Sequence, residues 1–329
     1  MVFECLSSID CECGMMDGFT ENSIRQLKAG IRLGHVPRDS ELRPDEDIAW
    51  QPESIREILL RPRLADETEV GKRDYAVEVW HDLLSSYSEK FITFPSDTLP
   101  AVAGLASRWC RLMNSKYLCG LWANSLLSSL LWMVNIRGQR SIERQTKAED
   151  TGYIAPTWSW AAAQQEVTWA NYHYKHVDYL IEIDLQNSGS VYAGPDIFGA
   201  VIAGWLSLTG NVMTVTFEKM SSRCGHLTKN GVRSEFTPDE PTVVRSLVGK
   251  EVVCLHVSTT KRWPHVYPYL ALVLTQVDID NEAGSDTSLL PDSVKASGHI
   301  YRRVGITRRY ELIDWSHEKD SERVSLVLI

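Results

Sequence analysis

Three thiols, Cys5, Cys11 and Cys13, stand close together near the N-terminus and are the first candidates for chemistry. Zinc takes four nitrogen or sulfur ligands, usually from Cys pairs two to four residues apart. Here one pair is separated by a single residue and no fourth ligand lies nearby, so ordinary thiols are the plainer reading. His173 and His176 flank Tyr174-Lys175. On a strand they would face opposite sides, with no carboxylate cluster to complete a metal site. Asp45-Glu46-Asp47 could bind diphosphate–magnesium, but it sits in a charge run that reads as solvated loop. No Gly-x-Ser-x-Gly elbow, phosphate loop, dinucleotide fingerprint or His-Glu-x-x-His is present. No metal and no cofactor are therefore expected.

What remains is aromatic. The chain has 11 Trp. Trp122, Trp132, Trp158 and Trp160 fall close together in sequence where helical texture gives way to strands. Such residues either fill a helix–sheet interface or line an apolar pocket carrying a few placed donors. Under the pocket reading, Trp122, Trp132, Tyr153, Trp158 and Trp160 contact substrate. Tyr117, His81, Asp97 and Arg108 are the candidates to donate a proton or carry charge, with Tyr87 nearby. Asp97 also suits a helix N-cap, and Arg108 a surface partner for it.

These residues must be positioned by the elements around them. Asp74 to Tyr87 reads as a helix: Val77, Trp80, Leu83, Leu84 and Tyr87 recur at three- and four-residue steps. Pro52 to Leu60 is a shorter helix candidate. Asp97 to Leu112 reads as a helix with Pro100 near its start, and Leu118 to Val134 as a buried helix, too polar to span a bilayer. From about Tyr153 the texture is strand-like. Val177 to Leu185 alternates, and Val201–Leu208, Val212–Phe217, Glu251–Val257, Tyr269–Val277 and Ile300–Ile306 follow as strands. Asn281 to Ser297 reads as an exposed loop. The expected fold is α+β: a mainly helical region 1–150, with a polar N-terminal segment, packed on a mainly β region 151–329 in an antiparallel sheet or barrel, the whole one compact unit.

The chain of 329 residues has 43% hydrophobic and 23% charged residues, ordinary globular proportions. Its net charge of −9, with basic residues scattered, argues against nucleic acid or an anionic membrane surface as partner. Seven Cys without a dense framework, no Asn-X-Ser/Thr sequon and an N-terminus unlike a signal peptide suggest a reducing, cytoplasmic setting.

A string of motifs resembles a known family. In order come Trp80…Tyr87-Ser88…Phe91-x-Thr93, Asp97-x-Leu99-Pro100-Ala101-x-x-Gly104-Leu105-Ala106, Tyr117-x-x-Gly120-Leu121-Trp122 and Leu130-Leu131-Trp132. Ala155-Pro156-Thr157-Trp158-Ser159-Trp160-Ala161 and Tyr301-Arg302-Arg303-Val304-Gly305 follow. Over nearly its whole length the chain resembles the region that follows the HET domain in fungal heterokaryon incompatibility proteins. Glu4-Cys5…Cys11-Glu12-Cys13 resembles the segment just after that domain, so the sequence reads as the tail standing alone. The resemblance implies a fungal, HET-like protein, and two functions are open. One is a cofactor-independent cyclase of fungal secondary metabolism, Diels-Alderase-like, that folds an apolar small molecule into reactive shape. The other is a non-enzymatic interaction or regulatory module of self/non-self recognition, with a protein partner.

Overall fold

A computed structural model describes residues 2–4, 9–11, 69–90, 92–135, 152–169, 177–221, 224–260, 269–279, 285–307 and 321–329. The contacts divide the chain into two units, Met1–Leu83 and Leu84–Ile329. The first unit contains an antiparallel pair, β1 (Val2–Glu4) with β2 (Ile9–Cys11). It also holds most of helix α1 (Glu69–Ser88), which runs on into the second unit. The candidate helix Pro52–Leu60, the acidic run Asp45–Asp47, Cys5, Cys13, His173 and His176 lie outside the described residues.

The second unit is α+β, as its sequence texture leads one to expect. Single 3-10 turns at Pro95–Asp97 and Pro100–Val102 lead into helix α2 (Ala103–Met113). Ala106, Trp109 and Met113, three and four residues apart, form its buried stripe. The helix stops at Asn114, which takes the left-handed conformation (φ 44°) that Asn tolerates well.

Leu118 to Val134 is not the single helix its leucines suggest. It begins as a hairpin, β3 (Tyr117–Leu118) with β4 (Leu121–Trp122), Leu118 opposite Leu121. Its two-residue turn has Cys119 at φ 48° and Gly120 at φ 95°. Both central residues at positive φ make the turn whose twist suits a tight hairpin. A Cβ on Gly120 would also run into the Trp160 indole nitrogen. A 3-10 turn at Ala123–Ser125 leads into one α-helical turn, Leu126–Ser129 (α3), before strand β5 (Trp132–Val134) pairs with β6 (Val167–Trp169). The spacing of Leu126, Leu127, Leu130 and Leu131 fits one helical turn, and tertiary pairing takes over on both sides of it.

The large sheet is built around one strand, β9 (Val201–Met220), where two separate strands were expected. Its first half lies between β8 (Glu182–Tyr192) and β15 (Glu322–Leu328), its second between β12 (Glu251–Thr260) and β10 (Gly225–Lys229). Strand β10 pairs with β11 (Val232–Pro238), β11 with β14 (Ile300–Thr307), and β14 with β13 (Tyr269–Gln276). Since β13 pairs with β12, the ring β9–β10–β11–β14–β13–β12 closes. Every pairing in that ring is antiparallel; β14 with β15 is parallel. Closure leaves the ring without unpaired edges. Met213, Val215, Phe217, Leu227, Phe236, Val252, Cys254, Ala271, Val273 and Val304 fill one contiguous apolar core on its strands.

The expected alternation from Val177 is interrupted. Strand β7 (Val177–Tyr179) pairs with β12, the chain breaks at Leu180–Ile181, and β8 begins at Glu182. Leu185 is exposed, contrary to the pattern. Asn281 to Ser297 is also more than an exposed loop: two short helical turns, Ser285–Ser288 and Asp292–Lys295, lie within it. Leu290 and Val294 pack with Val277, Ile300, Val327 and Ile329.

Candidate functional site

Two groups of polar side chains are buried where the 117–134 and 155–163 segments meet the sheet. The first centres on Arg303 of β14, which the sequence offered only as part of the Tyr301-Arg302-Arg303-Val304-Gly305 motif. The Arg303 guanidinium is fully covered. Its Nε–H donates to Asp239 Oδ2 at 2.8 Å and an Nη2–H to Asp239 Oδ1 at 3.1 Å, a bidentate fork. Further N–H groups donate to the carbonyls of Leu130 (2.7 Å) and Trp132 (2.6 Å). The cation lies 3.4 Å from the Trp132 ring centroid. Burial pushes the Asp239 carboxyl up and the Arg303 guanidinium down, and each charge is the main counterweight for the other. Every visible bond of this group is internal, and its effect is to fasten residues 130–132 to the barrel.

The Ala-Pro-Thr-Trp-Ser-Trp block is fastened in the same way. Thr157 N–H donates to Ile329 O at 3.1 Å, its hydroxyl to the same carbonyl, and Arg303 N–H donates to Thr157 Oγ1 at 2.9 Å. Ser159 Oγ–H donates to Cys119 O at 2.6 Å and accepts from Ala161 N–H at 3.2 Å, capping the turn at Trp160–Ala163. The indole N–H groups of Trp132, Trp160 and Trp169 donate to Trp158 O (2.9 Å), Gly120 O (3.3 Å) and Ser129 O (2.9 Å). Tyr87 meets Trp160 edge-on at 5.8 Å and donates to Thr98 O at 3.0 Å. Trp122, Trp132 and Trp158 are 0% exposed and Trp160 2%.

The second group centres on Tyr117. Its ring is enclosed by Trp122 (5.0 Å between centroids) and Phe198 (5.1 Å). Its hydroxyl is buried and has no hydrogen-bond partner among the described residues. That state costs roughly 1–3 kcal/mol when nothing fills it. Alongside, Ser190 Oγ–H donates to the Tyr192 hydroxyl at 2.9 Å, which donates to Tyr117 O at 3.3 Å. Gly204 of β9, opposite Ser190, admits the hairpin turn: a Cβ there would lie 2.9 Å from the Pro156 ring and 3.0 Å from Cys119 Sγ. Burial is the largest cause of a Tyr117 pKa well above the ordinary phenol value, with Cys119, Tyr192 and Asp196 adding to it. Burial likewise pushes the Cys119 thiol and the Tyr192 phenol each up to about 12, although Ser190 draws both down. Burial thus holds the Cys119 thiol protonated at pH 7. Cys119 is therefore no nucleophile in the closed fold, and Tyr117 is a neutral donor, not a base. The chemistry on offer is hydrogen-bond donation in a dry, aromatic setting.

The other candidate residues are dispersed. His81 is in the first unit, buried on α1, and desolvation lowers its pKa to about 3, so it stays neutral. Asp97 is exposed in the 3-10 turn; the residue at the N-cap of α2 is Val102, with no side-chain cap. Arg108 is exposed on α2, and Tyr153 is half-buried before the Ala-Pro-Thr-Trp block. Of the four candidate donors, Tyr117 alone combines burial with an unoccupied hydroxyl. Its companions Cys119, Ser190 and Tyr192 carry no sequence signal: Cys119 was hidden inside an expected helix, and β8 lies some seventy residues further on. Among the described residues no group of His, Cys, Asp and Glu could hold a metal ion, and no helix is long and apolar enough to cross a membrane. Comparisons with protein families, with curated proteins and with solved structures yield no match to this chain.

Proposed function

We propose that the chain is a member of the HET-like group its motifs resemble, that it binds an apolar small molecule, and that it acts as a cofactor-independent cyclase in a fungal metabolite pathway. The observation that carries the reading is the buried Tyr117 hydroxyl with no hydrogen-bond partner among the described residues. Unfilled buried donors are scarce in folded proteins and call for an explanation, and a bound acceptor is one. A ring closure of the cycloaddition type needs no nucleophile, metal or redox group. It needs a folded substrate, whose orientation removes part of the barrier, and a donor on the carbonyl that polarises in the transition state. Tyr117 supplies the donor, and Trp122 and Phe198 supply the apolar walls. A cytoplasmic location fits the unpaired thiols of Cys110, Cys119, Cys224 and Cys254.

The second reading, an interaction module of self/non-self recognition, is favoured by a different observation. The indole donors of Trp132, Trp160 and Trp169 are spent on backbone carbonyls, while Phe94 (63%) and Ile197 (51%) face outward. Deleting the gene in its source organism and profiling small metabolites separates the two. Under the cyclase reading one mature compound disappears and an uncyclised precursor or its shunt products accumulate. An unchanged profile, with altered incompatibility reactions, overturns it in favour of the module.

A further inference from the structure

The cover on Tyr117 is asymmetric, and that asymmetry bears on what reaches it. Trp122, one of the two rings against it, is wholly buried and belongs to the β3–β4 hairpin, whose turn is held by Ser159 and Trp160. Phe198, the other, is only half-buried and stands at the tip of the hairpin joining β8 to β9. The hydrogen bonds at that tip are local: Ala193 N–H to Ala200 O (2.9 Å), Gly199 N–H to Asp196 O (3.1 Å) and Phe198 N–H to Asp196 Oδ1 (2.9 Å). Ile197 beside Phe198 is exposed, and the β8–β9 register shifts at Val191/Tyr192, just below the tip. Moving the tip therefore costs few contacts, whereas moving Trp122 disturbs the junction.

We infer that a neutral small molecule, with a carbonyl-type acceptor beside an apolar ring or chain, binds at the Tyr117 hydroxyl by entering beneath the Phe198 tip. The inference rests on the small-molecule reading above and gives it a ligand class and a route. The acceptor is set by Tyr117, whose hydroxyl has none among the described residues. The apolar portion is set by the rings of Trp122 and Phe198. Neutrality follows from the surroundings. Asp196 interacts unfavourably with negative charge on Tyr117, and the cationic group next in sequence, Lys116, donates to Ser188 O at 3.3 Å. An anion buried beside the Tyr117 hydroxyl would lose its hydration.

Cys119 lets the route be measured without knowing the natural ligand. Its thiol lies in this cluster, and the equally buried Cys254 lies in the barrel core. Iodoacetamide alkylates a thiol as its thiolate displaces iodide, so each cysteine reports its own exposure when peptides are resolved by mass spectrometry. In the intact chain Cys119 is expected to label about ten times faster than Cys254, as local opening requires, and Phe198→Ala to raise the Cys119 rate about tenfold more while leaving Cys254 unchanged. Acetophenone, a neutral aryl ketone, should slow Cys119 labelling in the native chain and not in Tyr117→Phe; benzoate at the same concentration should not protect. Equal rates at the two cysteines would mean only global opening and would overturn the route. Protection by benzoate equal to that by acetophenone, or undiminished in Tyr117→Phe, would overturn the ligand class. The metabolite profile tests the reaction and these rates test the site, so failure of one is distinct from failure of the other.

Discussion

Replacing Asp239 by Asn should be among the most destabilising isosteric changes available in the second unit. The side chain keeps its shape but loses the negative charge opposite a fully buried guanidinium, and its NH₂ faces an N–H of Arg303 where a carboxylate oxygen had accepted at 2.8 or 3.1 Å. Hydrogen bonds to charged groups contribute about 1.5–3 kcal/mol each, and one of two is lost outright. Breaking a buried pair by removing one partner costs about 3–5 kcal/mol in general. About 3 kcal/mol is therefore expected for Asp239→Asn. Arg303→Met should cost at least as much, because it also strands the carbonyls of Leu130 and Trp132 and removes the cation from the Trp132 ring. The double variant should cost clearly less than the two single losses added, since the penalty of each single change is largely the abandoned partner. Urea unfolding at pH 7, followed by tryptophan fluorescence, measures all three. A loss below about 1 kcal/mol for Asp239→Asn, or strict additivity in the double variant, would refute the idea that this pair ties the junction together.

Three further outcomes follow from particular positions. Gly120→Ala combines a φ of 95° with a Cβ aimed at the Trp160 indole, and a loss of about 2 kcal/mol or more in unfolding free energy is expected. Tyr117→Phe removes a buried, unfilled hydroxyl; the ligand-free protein should be more stable by about 1 kcal/mol, and a loss of that size would mean the hydroxyl has a partner in solution. His81 is held neutral with a folded pKa near 3, below its unfolded value of 6.5, so the unfolded chain binds the extra proton between those limits. Its contribution to stability is intact above pH 6.5 and falls by up to about 1.4 kcal/mol per pH unit on acidification towards 3. A His81→Gln variant should show a shallower stability loss over that range by equilibrium unfolding, and an unchanged slope would contradict it.

Much of the second half was legible because strand alternation survives translation into structure. Strands at 251, 269 and 300 begin where the Val/Ile/Leu runs begin. Strands β10 (Gly-His-Leu-Thr-Lys), β11 and β15 went unread for a physical reason: they are rich in polar or charged residues, and β11 ends in Pro238. The segment from Leu118 misled because one turn of leucines at helical spacing is too short to distinguish a helix from a hairpin, a helical turn and a strand in succession. What fixes the hairpin is Cys119 and Gly120 at positive φ and a glycine at 204, far along the chain, that makes room for Cys119. Arg303 and Asp239 lie 64 residues apart in sequence and are brought together by the β11–β14 pairing. As for the candidate site, the importance of the aromatic block was legible. Its division of labour was not: the indoles of Trp132, Trp160 and Trp169 donate to backbone carbonyls, whereas the Tyr117 hydroxyl and the Trp158 indole N–H have no hydrogen-bond partner among the described residues.

The most direct test of the central claim, that the Tyr117 hydroxyl serves a reaction on a small molecule, is complementation of the deletion strain with Tyr117→Phe. The account predicts that the wild-type gene restores the missing metabolite, while Tyr117→Phe, folded and at least as stable, leaves the uncyclised precursor in place. Full restoration by Tyr117→Phe would contradict it, because the hydroxyl proposed to donate to the substrate would then be dispensable.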